Sequence, residues 1–329
     1  MEPISQISLD VTIWLQENYS KLEPLFQAVS SFVRFEVYLA IIPLVYWCLE
    51  KGLGRSLAYL VTVSNMVNEI LKAALRDPRP YWTDKFIGLA EEKTYGVPSG
   101  HAQTATVLYI YLAFWFRKRW IWVVALTLVF LTCLSRLYLG VHDIEDVLAG
   151  VLVGALVLFV YYLWVKFAAE LFANRILGQR LLIAITIPLI LAAIYVAVLF
   201  IIGEPEYGVP WDARIDIAEQ ISKSNVARAF GGLIGLSVGF LLEGSRVRFL
   251  VTGPIWKRAL RYLFGISVTV LLWAGLKAIL PEDPEWLDIV LTVLRYLLVA
   301  LWIAYYAPMT FIKLRLADAS PVPENRMKF

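Results

Sequence analysis

Residues 143–166 read DIEDVLAGVLVGALVLFVYYLWVK, and from Val147 to Val165 no side chain is charged. A helix crossing bilayer hydrocarbon needs about 20 mainly apolar residues, since lipid offers backbone amides no polar partner and they must be satisfied within the segment. This run meets that length, with its charges confined to the two ends, and reads as a transmembrane helix. Its leading end is chemically distinct: His142, one of only two histidines in the chain, stands just before Asp143, Glu145 and Asp146.

Outward from this segment the pattern repeats. Candidate spans lie near 35–50, 56–75, 100–116, 120–138, 143–166, 180–203, 226–243, 259–280 and 287–312. The 329 residues are 60% hydrophobic and 17% charged, against roughly 45–50% apolar residues in a soluble protein. The fold class that follows is all-α, a polytopic membrane helical bundle of about nine transmembrane helices. Residues 1–30 form an N-terminal interfacial segment in which Ile13, Leu15, Tyr19, Leu22, Leu25 and Phe26 make one apolar side. Residues 31–203 form a core of about six spans, and 204–329 an extension of about three. In the extension, Gly231, Gly232, Gly235 and Gly239 make a small-residue stripe suited to close helix packing. Cys48 and Cys133 fall inside apolar runs and read as small core residues, not a disulfide. The first thirty residues carry Glu2, Asp10, Glu17 and Glu23 and do not read as a cleavable signal peptide, so insertion through the first span is expected.

Loop charges orient the bundle. One set of connections holds Lys51 and Arg55, Arg117 to Arg119, Lys166, Arg175 and Arg180, and Arg246 to Arg261, with Lys313, Arg315, Arg326 and Lys328 in the tail. The other set is acidic, with Glu204, Glu206, Asp212 and Asp216, then Glu282, Asp283, Glu285 and Asp288. Lys and Arg concentrate in cytoplasmic loops, which puts the N-terminus outside and the C-terminus inside. Segment 76–99 and the junction 136–142 then share the extracytoplasmic or lumenal face, where Arg76, Arg79 and Arg136 break the acidic pattern.

Those exceptions belong to a phosphate-handling constellation. Lys72 ends the second span, and Arg79 is held between Pro78 and Pro80, which stop the helix. Lysine offers a point charge and arginine a planar fork for two phosphate oxygens. Pro98-Ser99-Gly100-His101 precedes an apolar run, with Ser99 as N-cap, free amides able to bind an anion, and Gly100 allowing close backbone approach. His142 and Asp146 are four residues apart and share a helix face, so the carboxylate can hold one ring nitrogen while the other attacks. Arg136 lies six residues before His142. Asp143 and Glu145 read as solvated loop charges. A metal site does not suit this composition: the three cations repel a dication, and the histidines lack zinc-helix spacing. No metal and no cofactor is expected.

Lys72 with Arg79-Pro80, Pro98 to His101, and Ser135-Arg136 with His142 and Asp146 resemble, in order and internal spacing, the three signature motifs of the type 2 phosphatidic acid phosphatase superfamily, membrane lipid phosphatase branch. The match covers roughly residues 50–165, and the nine-span layout resembles glucose-6-phosphatases and sphingosine-phosphate phosphatases. The resemblance implies that His142 forms a phosphohistidine and Asp146 orients it. It implies that His101 protonates the leaving oxygen, and that Lys72, Arg79, Ser99, Gly100 and Arg136 hold the phosphoryl oxygens. The expected function is hydrolysis of a lipid phosphate or polyprenyl diphosphate, in a bacterial inner membrane with a periplasmic site or an endoplasmic reticulum membrane with a lumenal one. The alternatives are a sugar-phosphate phosphatase, a lipid phosphotransferase, or a phospholipid-binding transporter or scaffold. The partners are the lipid substrate and the bilayer, not nucleic acid, and no residue pattern specifies an oligomeric state.

Overall fold

The computed structural model describes residues 3–83 and 87–321. Asp84 and Lys85, and the tail cations Arg326 and Lys328, lie outside the described residues. Among those described the chain is helical, without a β-sheet. Helices α1 (Pro3–Asn18) and α2 (Glu23–Ser31) precede α3 (Phe35–Leu49) and α4 (Lys51–Leu75). A polar segment with one helical turn at Pro80–Thr83 leads to α5, residues 100–116. Then come α6 (Arg119–Tyr138), α7 (Ile144–Ala173), α8 (Leu177–Ile202), α9 (Asp212–Val247), α10 (Ile255–Ile279) and α11 (Glu285–Lys313).

The six helices α6 to α11 are long and apolar enough to cross a membrane, and the chain is an integral membrane protein. A seventh candidate is the pair Ser20–Ser31 and Phe35–Leu49, bent by 51°. The expected count of about nine is therefore not confirmed. Asn65, Asn68, Glu69 and Lys72 interrupt the apolar character of α4, and α5, at residues 100–116, is shorter than the usual span. α4 ends ahead of Pro78, where Arg76 takes a left-handed φ of 46° and its amide bonds Lys72 O at 2.9 Å. α7 opens on Glu145 and Asp146, placed where the helix dipole favours carboxylates.

The chain forms two compact units. The first comprises Met1–Val37, Ser64–Phe159 and Ile194–Asn225, and it contains every candidate site residue. Leu15, Phe26, Tyr81, Trp82, Tyr138 and Val141 belong to its core. The N-terminal helices pack onto α6 through that core: Leu15 and Phe26 turn inward, whereas Ile13, Tyr19, Leu22 and Leu25 stay exposed. α7 lies directly on the start of α5, because a Cβ at Gly150 would stand 2.5 Å from Ser99 O and one at Gly154 2.8 Å from Gln103 O.

The second unit comprises Tyr38–Val63, Val160–Ala193 and Val226–Phe329. Its glycine stripe serves packing: Cβ atoms at Gly231, Gly235 and Gly239 would meet Val293 O at 2.2 Å, Ala300 Cβ at 2.6 Å and Ala304 Cβ at 2.6 Å on α11. Lys51 and Arg55, counted above as loop charges, instead pair with the fully buried Glu243, Lys51 at 2.8 Å. A buried carboxylate requires such partners. Cys48 and Cys133 are unpaired thiols.

Candidate active site

The segment between α4 and α5 folds back on the end of α4 and is fastened there by buried amides. Asn68 on α4 donates to Pro98 O at 3.1 Å and to Gln103 Oε1 at 2.8 Å, and Gln103 donates to Ser64 O at 2.7 Å. Gly96 N donates to Asp77 O at 2.8 Å, and Ser99 N to Asp146 O at 2.9 Å. The second bond ties the Pro98–His101 turn to the first turn of α7, and the bare Cα of Gly150 permits that approach.

Arg79 joins the first motif to the third and to the loop that leads into the second. Its guanidinium is buried and donates to Thr94 O at 2.5 Å, Tyr95 O at 3.1 Å, Val141 O at 2.9 Å and His142 Nε2 at 3.0 Å. Lys72 Nζ donates to Thr94 Oγ1 at 2.7 Å, the hydroxyl that Arg79 Nη2 also reaches at 3.2 Å. His142 Nδ1 lies 2.8 Å from Asp146 Oδ2. With a carboxylate on one nitrogen and a guanidinium donor on the other, the ring is the neutral tautomer protonated on Nδ1, its lone pair on Nε2. Burial, then the positive charges of Arg79, Arg136 and Lys72, hold the imidazole well below its usual range.

Arg136 and His101 meet across Glu92. Arg136 Nη2 donates to Glu92 Oε1 at 2.6 Å, and His101 Nδ1 stands 3.9 Å from the same oxygen. Burial raises the Glu92 carboxyl, but Arg136, Arg79, His101 and Lys72 outweigh it and hold the group well below the usual carboxylate range. Two buried polar atoms of candidate ligands have no partner among the described residues, Ser99 Oγ and Arg136 Nε. Ser99 is the N-cap residue of α5, as expected, yet its hydroxyl makes no capping bond. At Gly100 the close approach is to Asn68, whose Oδ1 would lie 3.2 Å from a Cβ. Asp143 is not a solvated charge: it is half-buried beside Ser8, and burial with Asp77 and Glu145 pushes its carboxyl up to about 6. Glu145 is exposed.

All eight expected residues thus lie in one unit, joined directly or through Thr94 and Glu92. Sequence reading gave neither bridge a place among the site residues, because both sit in a loop with no motif of its own. It also missed the pair Gly150 and Gly154, hidden in an apolar run although spaced as small residues at a helix contact are.

The geometry defines a helical membrane protein with a buried, cation-rich histidine–aspartate centre. The family comparisons agree with it. A model described as PAP2 superfamily matches residues 53–170, and one described as PAP2 superfamily phosphatase, transmembrane extension, matches 227–319. The chain carries a PAP2 superfamily domain and a PAP2 transmembrane extension. It is similar to human sphingosine-1-phosphate phosphatase 2, 32% identical over 146 residues, covering 42% of this chain and 36% of that protein. It is similar to glucose-6-phosphatase catalytic subunit 1 of Haplochromis nubilus, 25% identical over 187 residues, covering 48% and 53%. It is also similar to phosphatidylglycerophosphatase B of Bacillus subtilis (strain 168), 31% identical over 115 residues, covering 32% and 55%. The chain spans about a third to a half of the length of these relatives. No solved structure gives a significant match.

Proposed function

We propose that the protein is a membrane phosphatase that hydrolyses a lipid phosphate through a phosphohistidine. The carrying observation is His142 itself, its Nδ1 on Asp146 at 2.8 Å and its lone-pair nitrogen turned to the Arg79 guanidinium at 3.0 Å. Phosphate binding draws Arg79 onto the phosphoryl oxygens and uncovers Nε2. The Nε2–P bond forms as the bond to the leaving oxygen breaks, and His101 gives that oxygen its proton. Water then attacks phosphorus with His101 taking its proton, the N–P bond breaks, and orthophosphate leaves. Lys72, Arg79, Arg136, the Ser99 hydroxyl and the Gly100 amide spread the charge of the transferring group, the role metal ions fill in other phosphoryl-transfer enzymes.

The lipid assignment is supported by the sphingosine-1-phosphate phosphatase and phosphatidylglycerophosphatase names among the relatives. It also fits a site at the ends of membrane helices, where a lipid presents its headgroup while each methylene of its tail keeps about 0.8 kcal/mol of burial. The reading places the site on the extracytoplasmic or lumenal side, with residues 31–203 as catalytic core and 204–329 as an extension. A sugar-phosphate phosphatase is the second reading, favoured by the likeness to glucose-6-phosphatase over 48% of the chain. The test compares catalytic efficiency on long-chain lipid phosphates, lipid diphosphates and glucose 6-phosphate, using detergent-purified protein in EDTA. Lipid phosphates are expected to lead. A sugar phosphate ahead by more than tenfold overturns the lipid reading, and activity that needs added magnesium or zinc overturns the mechanism.

A further inference from the structure

α1 carries its polar residues on the side that faces the protein. Ser8, Thr12 and Gln16, spaced four apart, lie on one face and meet the segment bearing the third motif. Ser8 Oγ accepts from Ile144 N at 3.1 Å, Thr12 donates to Leu137 O at 3.1 Å, and Gln16 donates to Tyr138 O at 2.7 Å and Ile87 O at 2.8 Å. The outward face carries Ile7 and Trp14, each 54% exposed. At the end of α2, the buried Ser30 hydroxyl accepts from Arg136 Nη1 at 2.5 Å. Ser30 lies well outside the matched region 53–170.

Arg136 is therefore gripped at two of its three nitrogens, Nη1 by Ser30 and Nη2 by Glu92, while the buried Nε keeps a free donor. A guanidinium is planar, so fixing both Nη atoms fixes the direction in which the Nε–H points. We propose that the N-terminal helices are a working part of the phosphate site, with Ser30 a positioning residue that aims Arg136 at the phosphoryl oxygens. This rests on the reading of Arg136 as a phosphate ligand. Without Ser30, Nη1 loses a buried acceptor and the guanidinium turns about its remaining bond to Glu92.

The experiment uses the full chain in detergent, with orthophosphate as competitive inhibitor. Ser30→Ala is expected to raise both KM and the orthophosphate inhibition constant about tenfold, the scale of one charge-assisted hydrogen bond, with a smaller change in kcat. Ser30→Thr restores both. Thr12→Val, which cuts a neighbouring bond remote from Arg136, lowers Tm but leaves the inhibition constant unchanged. In an Arg136→Lys background, Ser30→Ala adds little, because the two act as one unit. An unchanged inhibition constant in Ser30→Ala, or the same loss with and without Arg136, overturns the inference alone. If Arg136→Lys itself binds orthophosphate normally, the ligand reading of Arg136 falls and the inference with it.

Discussion

Arg79 covers Nε2 of His142, the nitrogen proposed to attack phosphorus. The chain has only two histidines, so imidazole nitrogens can be followed by NMR in whole protein, with His101→Ala assigning the second signal. A depressed pKa means the neutral form persists as pH falls. At pH 6, where an ordinary imidazole is mostly charged, His142 is expected to remain neutral and protonated on Nδ1. A charged ring there contradicts the assignment. His142→Ala should abolish phosphate release, since His101 has its own task, while Asp146→Asn should leave a measurable residue because it disturbs only orientation and charge. Glu92 gives a prediction of opposite sign. If Arg136 binds phosphate as proposed, the Glu92 carboxylate competes for it, and like charges a few ångströms apart repel by about 4 kcal/mol at an effective dielectric of 20. That exceeds the roughly 1.5–3 kcal/mol of its hydrogen bond to Arg136, so Glu92→Gln should tighten orthophosphate inhibition. Weaker inhibition would mean that Glu92 supports Arg136 more than it opposes the ligand.

At the scale of helices, the contact of α7 with the Pro98–His101 turn decides whether the second and third motifs stay in register. The Gly150 Cβ position lies 2.5 Å from Ser99 O, a backbone atom that cannot swing aside. Gly150→Ala must push the two elements apart, costing about 1–3 kcal/mol as overpacking does and stretching the Ser99 N to Asp146 O bond. Activity should fall at least tenfold while the membrane bundle still purifies, and Gly178→Ala, with open space around it, serves as the silent control. The two changes having equal effects would remove the contact from the mechanism. These helices were unevenly legible. α6 to α11 announced themselves by long apolar runs, but α4 mixes lipid-like stretches with Asn65, Asn68 and Glu69, and Asn68 is needed by a loop folded onto it. The span count is not confirmed there because hydropathy does not separate a polar residue facing protein from one facing lipid.

For the whole molecule, sidedness is the open test. With Cys48 and Cys133 replaced, a cysteine at the exposed Lys93 should react with an impermeant thiol reagent from outside cells, or from the lumen of an internal membrane, and one at the exposed Lys118 should not. The reverse pattern overturns the topology and the substrate pool with it. The candidate site residues could be singled out because motif spacing is local: Lys72 to Arg79, Ser99 to His101 and Arg136 to Asp146 each fit within a dozen residues. The two interleaved units were not legible, because their boundaries fall inside long helices with no change of composition. The apolar side drawn for residues 1–30 is divided in the structure: Ile13, Tyr19, Leu22 and Leu25 are exposed, but Leu15 and Phe26 are core. The polar seam of α1 has a consequence for biogenesis. Thr12 and Ser8 are synthesised 125 and 136 residues ahead of their partners at Leu137 and Ile144, a delay on the order of ten seconds at ribosomal rates. During that interval the nascent N-terminus has its greasy side to settle in the headgroup layer and nothing to receive its hydroxyls. A ribosome-stalled chain ending before residue 130 should therefore be cut readily by protease within α1, and one stalled well past residue 180 should resist.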